Sequence, residues 1–378
     1  MNFVNNKNMK KKILIKNLLF LVPIFILLIL SILNMYGASF ISPLYKNAFN
    51  RQIIWILMSM LVFIIIYKMD MNLLYKTSDF FYIIGIILLI LVLFIGKSIN
   101  GASSWFKIGA LSIQPSEILK CFFIVFLSKV INKHKKGDFT LLLKILIFTF
   151  IPCILIFLEP DTGVVVMYLL IMFGCILASK IKKRYLIIIM GCGLILLGIF
   201  LGLYFLKKNL FIDIFGTSFF YRMDRLLSFK NNSSYQLTNA LIGIGASGIL
   251  GMGLTSTKIY IPEAITDFVF DLTILNFGYL TGIAVVLIYT FILIMIYREI
   301  YYSKKYLYRC ILSGIFWMML FQVFEHILMN LGLTPITGIT LPFLSYGGSS
   351  MLSYSMIFAI VFIIINKNMS RFPKEKKR

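Results

Sequence analysis

Between residues 235 and 271 the chain reads YQLTNALIGIGASGILGMGLTSTKIYIPEAITDFVFD, a glycine-rich island in which Lys258, Glu263, Asp267 and Asp271 fall within fourteen residues. A carboxylate at a surface can take the proton of an attacking hydroxyl, and a nearby lysine can meet a phosphate or another developing anion. Three other stretches carry comparable groups: NGASSWFKIGALSIQPSEILK with Glu117 and Lys120, EPDTG with Glu159 and Asp161, and NLGLTPITGITLPFLSYGGSS with Ser345. Each also has a plain structural reading. Glu117 and Lys120 stand three apart and can pair on one helix. Trp105 suits a membrane interface as well as a substrate, and Glu325 with His326 suits a proton relay or a polar join between helices.

The elements that must position these groups follow from composition. Hydrophobic residues make up 60% of the chain and charged residues 13%, and apolar runs long enough to cross a bilayer recur along it. This predicts an all-α polytopic membrane protein with about ten transmembrane helices, near 17–35, 52–67, 80–95, 115–131, 141–158, 164–179, 185–206, 272–297, 310–331 and 350–365. The net charge of +23 does not indicate nucleic acid, because the basic residues sit in short clusters between the apolar runs, the pattern of cytoplasmic loops. Of 37 Lys and Arg, 26 fall in or beside the segments assigned to the inside, whereas nine of 14 acids fall outside or within spans. Both termini are therefore expected in the cytoplasm, as tails 1–16 and 367–378 of one integral-membrane domain covering 1–378. The only large extracytoplasmic loop, 207–270, is expected between spans seven and eight. The first span has no small-residue cleavage site after it and is expected to be retained.

Several chemistries find no support. The five cysteines lie scattered in apolar surroundings, as packing residues do. His134 and His326 are the only histidines and neither has metal-ligand spacing, although a divalent cation such as Mg²⁺ or Mn²⁺ could be held between carboxylates and a diphosphate. No nucleotide-binding glycine loop is present.

Taken together, NGASSW, QPSEILK, EPDTG, YRMDRLLSF, GMGL, KIYIPEAITDFVF and TPITGITLPFLSYGGSS, in this order over ten spans, resemble the SEDS family (shape, elongation, division and sporulation) of the RodA/FtsW type. The resemblance covers nearly the whole chain, and LPFLSYGGSS and PEAITDF are its most specific parts. It implies a peptidoglycan glycosyltransferase that polymerises lipid II into glycan strands at the outer face of the bacterial cytoplasmic membrane, with roles in cell shape, division or sporulation. Asp267 occupies the position of the family's essential acid. The chain departs from the family pattern at Ile265, where His is usual, and at Leu275 and Asn276, where paired Glu is usual. It also departs at Ser103 and Ser104, where basic residues are usual, and at Thr340, where Pro is usual.

On this reading Asp267 is the general base, and Lys258, Arg225, Arg222 and Lys120 are cations for the leaving diphosphate. Glu117, Asp161, Trp105 and Ser345 complete the expected substrate site. The resemblance also implies a class B penicillin-binding transpeptidase as partner, and the membrane lipids as surroundings. Two other functions fit a polytopic chain with acids near the bilayer: a lipid II flippase, and a non-catalytic scaffold of a cell-wall synthase complex.

Overall fold

The computed structural model describes residues 2–99, 102–108, 111–134, 136–227, 235–255 and 259–369. It is a helical bundle with one small sheet. The helices are α1 (Asn2–Ile41), α2 (Ala48–Lys68), α3 (Met71–Ile95), α4 (Pro115–Lys133), α5 (Phe139–Leu158), α6 (Thr162–Leu177), α7 (Lys183–Leu206), α8 (Lys208–Phe215), α9 (Thr217–Leu227), α10 (Tyr235–Ser247), α11 (Val269–Phe277), α12 (Tyr279–Tyr302), α13 (Tyr306–Asn330) and α14 (Gly348–Met369). Among the described residues, seven helices are long and apolar enough to cross a membrane, and an eighth candidate is a bent pair formed by the end of α7 and α8. Of the other two helices expected to span, α4 carries Glu117, Lys120, Lys129 and Lys133, and α6 has 16 residues.

The bundle is organised around α14. Every residue from Gly348 to Ile365 is buried, as expected of a helix that is apolar on all sides. Close helix approach inside a membrane depends on small residues. At the α6–α13 crossing a Cβ on Gly174 would lie 2.5 Å from Ser313 O, and the Ser313 hydroxyl donates to Gly174 O at 2.7 Å.

Several boundaries differ from the sequence reading. The lysine-rich stretch 2–16 is helical and continuous with the first apolar run, since nothing in it breaks a helix. The segment after α3 is a three-stranded antiparallel sheet, β1 (Lys97–Ile99), β2 (Ala102–Ile108) and β3 (Leu111–Ile113), with Lys97 opposite Trp105 and Phe106 opposite Ile113. The Asn100-Gly101 pair between β1 and β2 is the hairpin signal for it. The described part of the segment 207–270, expected as a loop, holds the helices α8, α9 and α10. The apolar run starting at 272 is broken: α11 ends at Phe277 and the long helix begins at Tyr279.

Gly278 makes that break. It has φ 84° and ψ 176°, and a Cβ there would lie 2.1 Å from Ile249 O. The segment 248–253 pairs with this corner, Met252 N–H donating to Leu275 O at 2.9 Å and Gly253 N–H to Asn276 O at 3.0 Å. Gly278→Ala combines a backbone conformation open almost only to glycine with that overlap. It should destabilise the protein by about 2–4 kcal/mol, read as a lower unfolding temperature of the purified protein in detergent.

Candidate active site

Asp267 lies on the turn 262–268 that leads into α11. The turn winds around one carbonyl: Glu263 O accepts from the N–H groups of Thr266, Asp267 and Phe268 at 3.1 to 3.2 Å. Glu263 itself sits at φ 52°, in the left-handed region, and its Oε2 accepts from the Thr266 hydroxyl at 3.1 Å. Four residues from elsewhere hold the turn in place. The Tyr45 hydroxyl donates to Ile261 O and accepts from Ala264 N–H. Asn330, at the end of α13, donates to Asp267 O at 2.8 Å and accepts from Asp271 N–H at 3.2 Å. Ser345 Oγ donates to Thr266 O at 2.9 Å, and Tyr346 N–H donates to Ile265 O at 2.7 Å.

The second loop, 337–346, is fixed in the same way. Its carbonyls are taken by side chains of neighbouring helices: His326 Nδ1 lies 2.7 Å from Ile339 O, Gln322 donates to Thr340 O at 2.9 Å, and the Tyr289 hydroxyl donates to Pro342 O at 2.5 Å. Phe343 stands at φ 65°, so each loop carries one non-glycine residue in left-handed backbone. Such strain persists only where the surroundings impose it, and it is common at functional sites.

Asp267 is half-buried and makes no ion pair among the described residues. Burial first, and then the Glu263 charge, push its carboxyl up to about 7, against a smaller pull from Thr266. A carboxylate with that affinity for protons is suited to general-base work near neutral pH. Gly338, an exposed residue, flanks it, and a Cβ there would stand 3.8 Å from Asp267 Oδ2. The carboxyl is thus approached across a position with no side chain.

A second acidic group lies behind the same loop. Lys120 is fully buried and its Nζ donates to Glu117 Oε1 at 2.7 Å, with Met167 Sδ at 3.5 Å and the Tyr354 ring at 5.6 Å. Asp161 caps α6, its Oδ1 accepting from Val164 N–H at 3.2 Å and its Oδ2 from Gln114 Nε2 at 2.7 Å. Burial and the Glu117 charge hold the Asp161 carboxyl above its ordinary range, against Val164 N–H, Gln114 and Lys120. Glu159 is fully buried and pushed up to about 8 by burial and by Asp161. The strip Thr337–Ile339 stands between the two groups: a Cβ on Gly163, in the first turn of α6, would meet Ile339 at 2.9 Å and Thr337 O at 3.4 Å.

The residues singled out in the sequence therefore separate into roles. Asp267 and Glu263 share one turn, and Glu117, Lys120 and Asp161 form the neighbouring group. Lys120 is committed to Glu117, and Ser345 braces the two loops with a buried hydroxyl. Trp105 is half-buried on β2. Lys258 lies outside the described residues; Arg222 and Arg225 are on α9, with side chains outside the described part. Glu325 lies within electrostatic reach of Asp267, while His326 holds loop 337–346. Tyr45, Gln114 and Asn330 were missed. Gln114 and Asn330 had a signal, as the first residues of the stretches QPSEILK and NLGLTP, and Tyr45 had none.

Comparison with known proteins adds to this geometry. The family described as FTSW_RODA_SPOVE, cell cycle protein, matches residues 14–370. The chain is 32% identical over 389 residues to the probable peptidoglycan glycosyltransferase FtsW of Wigglesworthia glossinidia brevipalpis, covering 97% of this chain and 96% of that protein. It is 29% identical over 381 residues to stage V sporulation protein E of Bacillus subtilis, covering 95% and 98%. A solved structure described as structural coordination of polymerization and crosslinking by a peptidoglycan synthase complex has the same fold, with a TM-score of 0.75 at 21% identity over 93% of this chain and 98% of that one.

Asn330 is fully buried and ties the backbone of Asp267 to that of Asp271. Replacing it by Ala leaves a carbonyl and an N–H without partners, at a cost of about 2–4 kcal/mol. The unfolding temperature of Asn330→Ala in detergent should fall accordingly.

Proposed function

The chain belongs to the FtsW, RodA and SpoVE family of cell cycle proteins, and from that premise we propose that it is a peptidoglycan glycosyltransferase acting in division or shape. The observation that carries the reaction is Asp267, a half-buried carboxyl pushed up to about 7 and open across Gly338. The substrate is lipid II. A sugar hydroxyl of one molecule attacks the anomeric carbon of the other, whose leaving group is the polyprenyl diphosphate. Asp267 takes the hydroxyl proton as the new bond forms, a contribution of about 10²- to 10⁴-fold. One displacement at an α-linked donor gives a β-1,4 glycan by inversion, so one base suffices. The paired-carboxylate arrangement of glycosidases is not needed.

The diphosphate leaves as an anion and needs positive charge, for which Lys258, Arg225 and Arg222 are the candidates. Among the described residues no three ligating side chains gather as a metal site. A Mg²⁺ or Mn²⁺ ion would be held between carboxylates and the diphosphate, adding positive charge at the leaving group. The polyprenyl chain is placed in an apolar cavity of about 270 Å³ between α1, α2 and α14, lined by Leu28, Ile56, Phe63, Phe343 and Phe358. Its Phe343 end is support for that placement, since Phe343 belongs to the loop hydrogen-bonded to the Asp267 turn.

The ten helices α1–α7 and α12–α14 are proposed to cross the membrane, with both termini in the cytoplasm and Asp267 on the outer side. The segment 207–270 would then be the one large outer region of a single integral-membrane domain, as the distribution of lysine and arginine supports. A transpeptidase is the proposed partner, because the similar fold was solved in a complex that couples polymerization and crosslinking.

The test is polymerisation of lipid II by the purified protein, alone and with its transpeptidase. Asp267→Asn should lower the rate by at least about 10²-fold without lowering the unfolding temperature; a normal rate would remove Asp267 as the base. In wild type, kcat/KM should fall as pH drops below about 7, because protonation removes the base. Glu263→Gln removes a charge that raises the Asp267 pKa, so the acid limb should move to lower pH.

A further inference from the structure

At the other end of the bundle, α1, α12 and the end of α14 enclose a cavity of about 390 Å³. Lys16 in its wall lies eighteen residues before Asn34, which touches α11 near the Asp267 turn, a separation of about 27 Å along the helix. This is close to the thickness of a bilayer core. One wall of the cavity is apolar, formed by Ile15, Leu19 and Met295, and Ile15 and Leu19 are exposed on the outer surface of the bundle. The other side is charged. Lys16 pairs with Glu299 Oε1, and the Arg298 guanidinium lies over the Tyr302 ring at 5.7 Å.

Glu299 is fully buried, and its Oε2 has no hydrogen-bond partner among the described residues. A buried carboxylate oxygen left unpaired is costly and needs a donor. Two cations against one acid leave an excess positive charge. The cavity therefore offers, side by side, cations for a phosphate, an acceptor for a donor just beyond it, and an apolar wall for hydrocarbon.

We propose that this cavity binds a glycerophospholipid whose head group carries a hydrogen-bond donor. Its phosphate meets Arg298 and Lys16, its hydroxyl or ammonium N–H meets Glu299 Oε2, and an acyl chain lies on Ile15 and Leu19. Phosphatidylglycerol and phosphatidylethanolamine both have the required donor. Phosphatidylcholine has the phosphate but no donor. The inference is independent of the reaction assigned to Asp267.

Thermal unfolding of the delipidated full-length protein in detergent separates the possibilities, with four additions: phosphatidylglycerol, phosphatidylethanolamine, phosphatidylcholine, and glycerol phosphate as a soluble phosphate ester. One or both of the donor-bearing lipids should raise the unfolding temperature by about 3–6 °C at saturating concentration, and the other two additions should not. Arg298→Ala and Leu19→Trp, which fills the apolar side without touching the charges, should each cut that rise to less than half. An equal rise with phosphatidylcholine would overturn the head-group assignment, and an equal rise with glycerol phosphate would show a site for free phosphate esters. The full rise in both variants would place the lipid elsewhere.

Discussion

Irregular backbone inside a membrane protein must find all of its hydrogen bonds within the protein, because hydrocarbon supplies none. That constraint shapes this molecule. Two irregular segments, 261–268 and 337–346, meet backbone to backbone through Tyr346 N–H and Ile265 O, 2.7 Å apart. Ser345 adds a second bond, to Thr266 O, and its hydroxyl also accepts from Leu341 N–H. The groups these loops leave over are met by Tyr45, Gln52, Tyr289, Gln322, His326 and Asn330, drawn from four parts of the chain. Many of the buried polar residues in this apolar bundle exist to complete that set.

A frame so fully paired has a consequence for its one proposed catalytic side chain. Asp267 is fixed through its backbone, by Glu263 O on its N–H and by Asn330 on its carbonyl, so its carboxyl is held without an ion pair among the described residues. A salt bridge would have lowered its proton affinity and removed its use as a base. Holding the residue by its main chain leaves burial and the Glu263 charge to raise that affinity instead. The left-handed conformations of Glu263 and Phe343 are the local strain of bending two loops around one acid.

How much of this was legible in the sequence depended on the kind of signal. Long apolar runs marked the long helices α1–α7 and α12–α14 in their order, since hydrophobic length is a direct requirement of the bilayer. Acids near span ends marked the two carboxylate groups. The sheet at 97–113 was passed over although Asn100-Gly101 announced it, because a polar segment between spans reads as loop. The break at Gly278 was hidden inside a continuous apolar run; only the approach of Ile249 O from a distant segment explains it. Tyr45 could not have been found, since nothing nearby in sequence marks a tyrosine that will bridge Ile261 and Ala264. Lys120 carried two readings, a pair with Glu117 three residues before it and a cation for the diphosphate, and the structure shows the pair.

The departures from the family pattern acquire a physical sense on α11. Where paired glutamates are usual, Leu275 is buried in the core and Asn276 donates to Asn34, which in turn donates to Thr273. The contact of α11 with α1 is therefore neutral and hydrogen-bonded. The one acid left on this helix, Asp271, is fully buried with no partner for either oxygen among the described residues, and burial holds it well above the carboxylate range. With Leu275 and Asn276 where the resemblance leads one to expect glutamates, the acids that accompany Asp271 here are those of the turn, Glu263 and the proposed base Asp267.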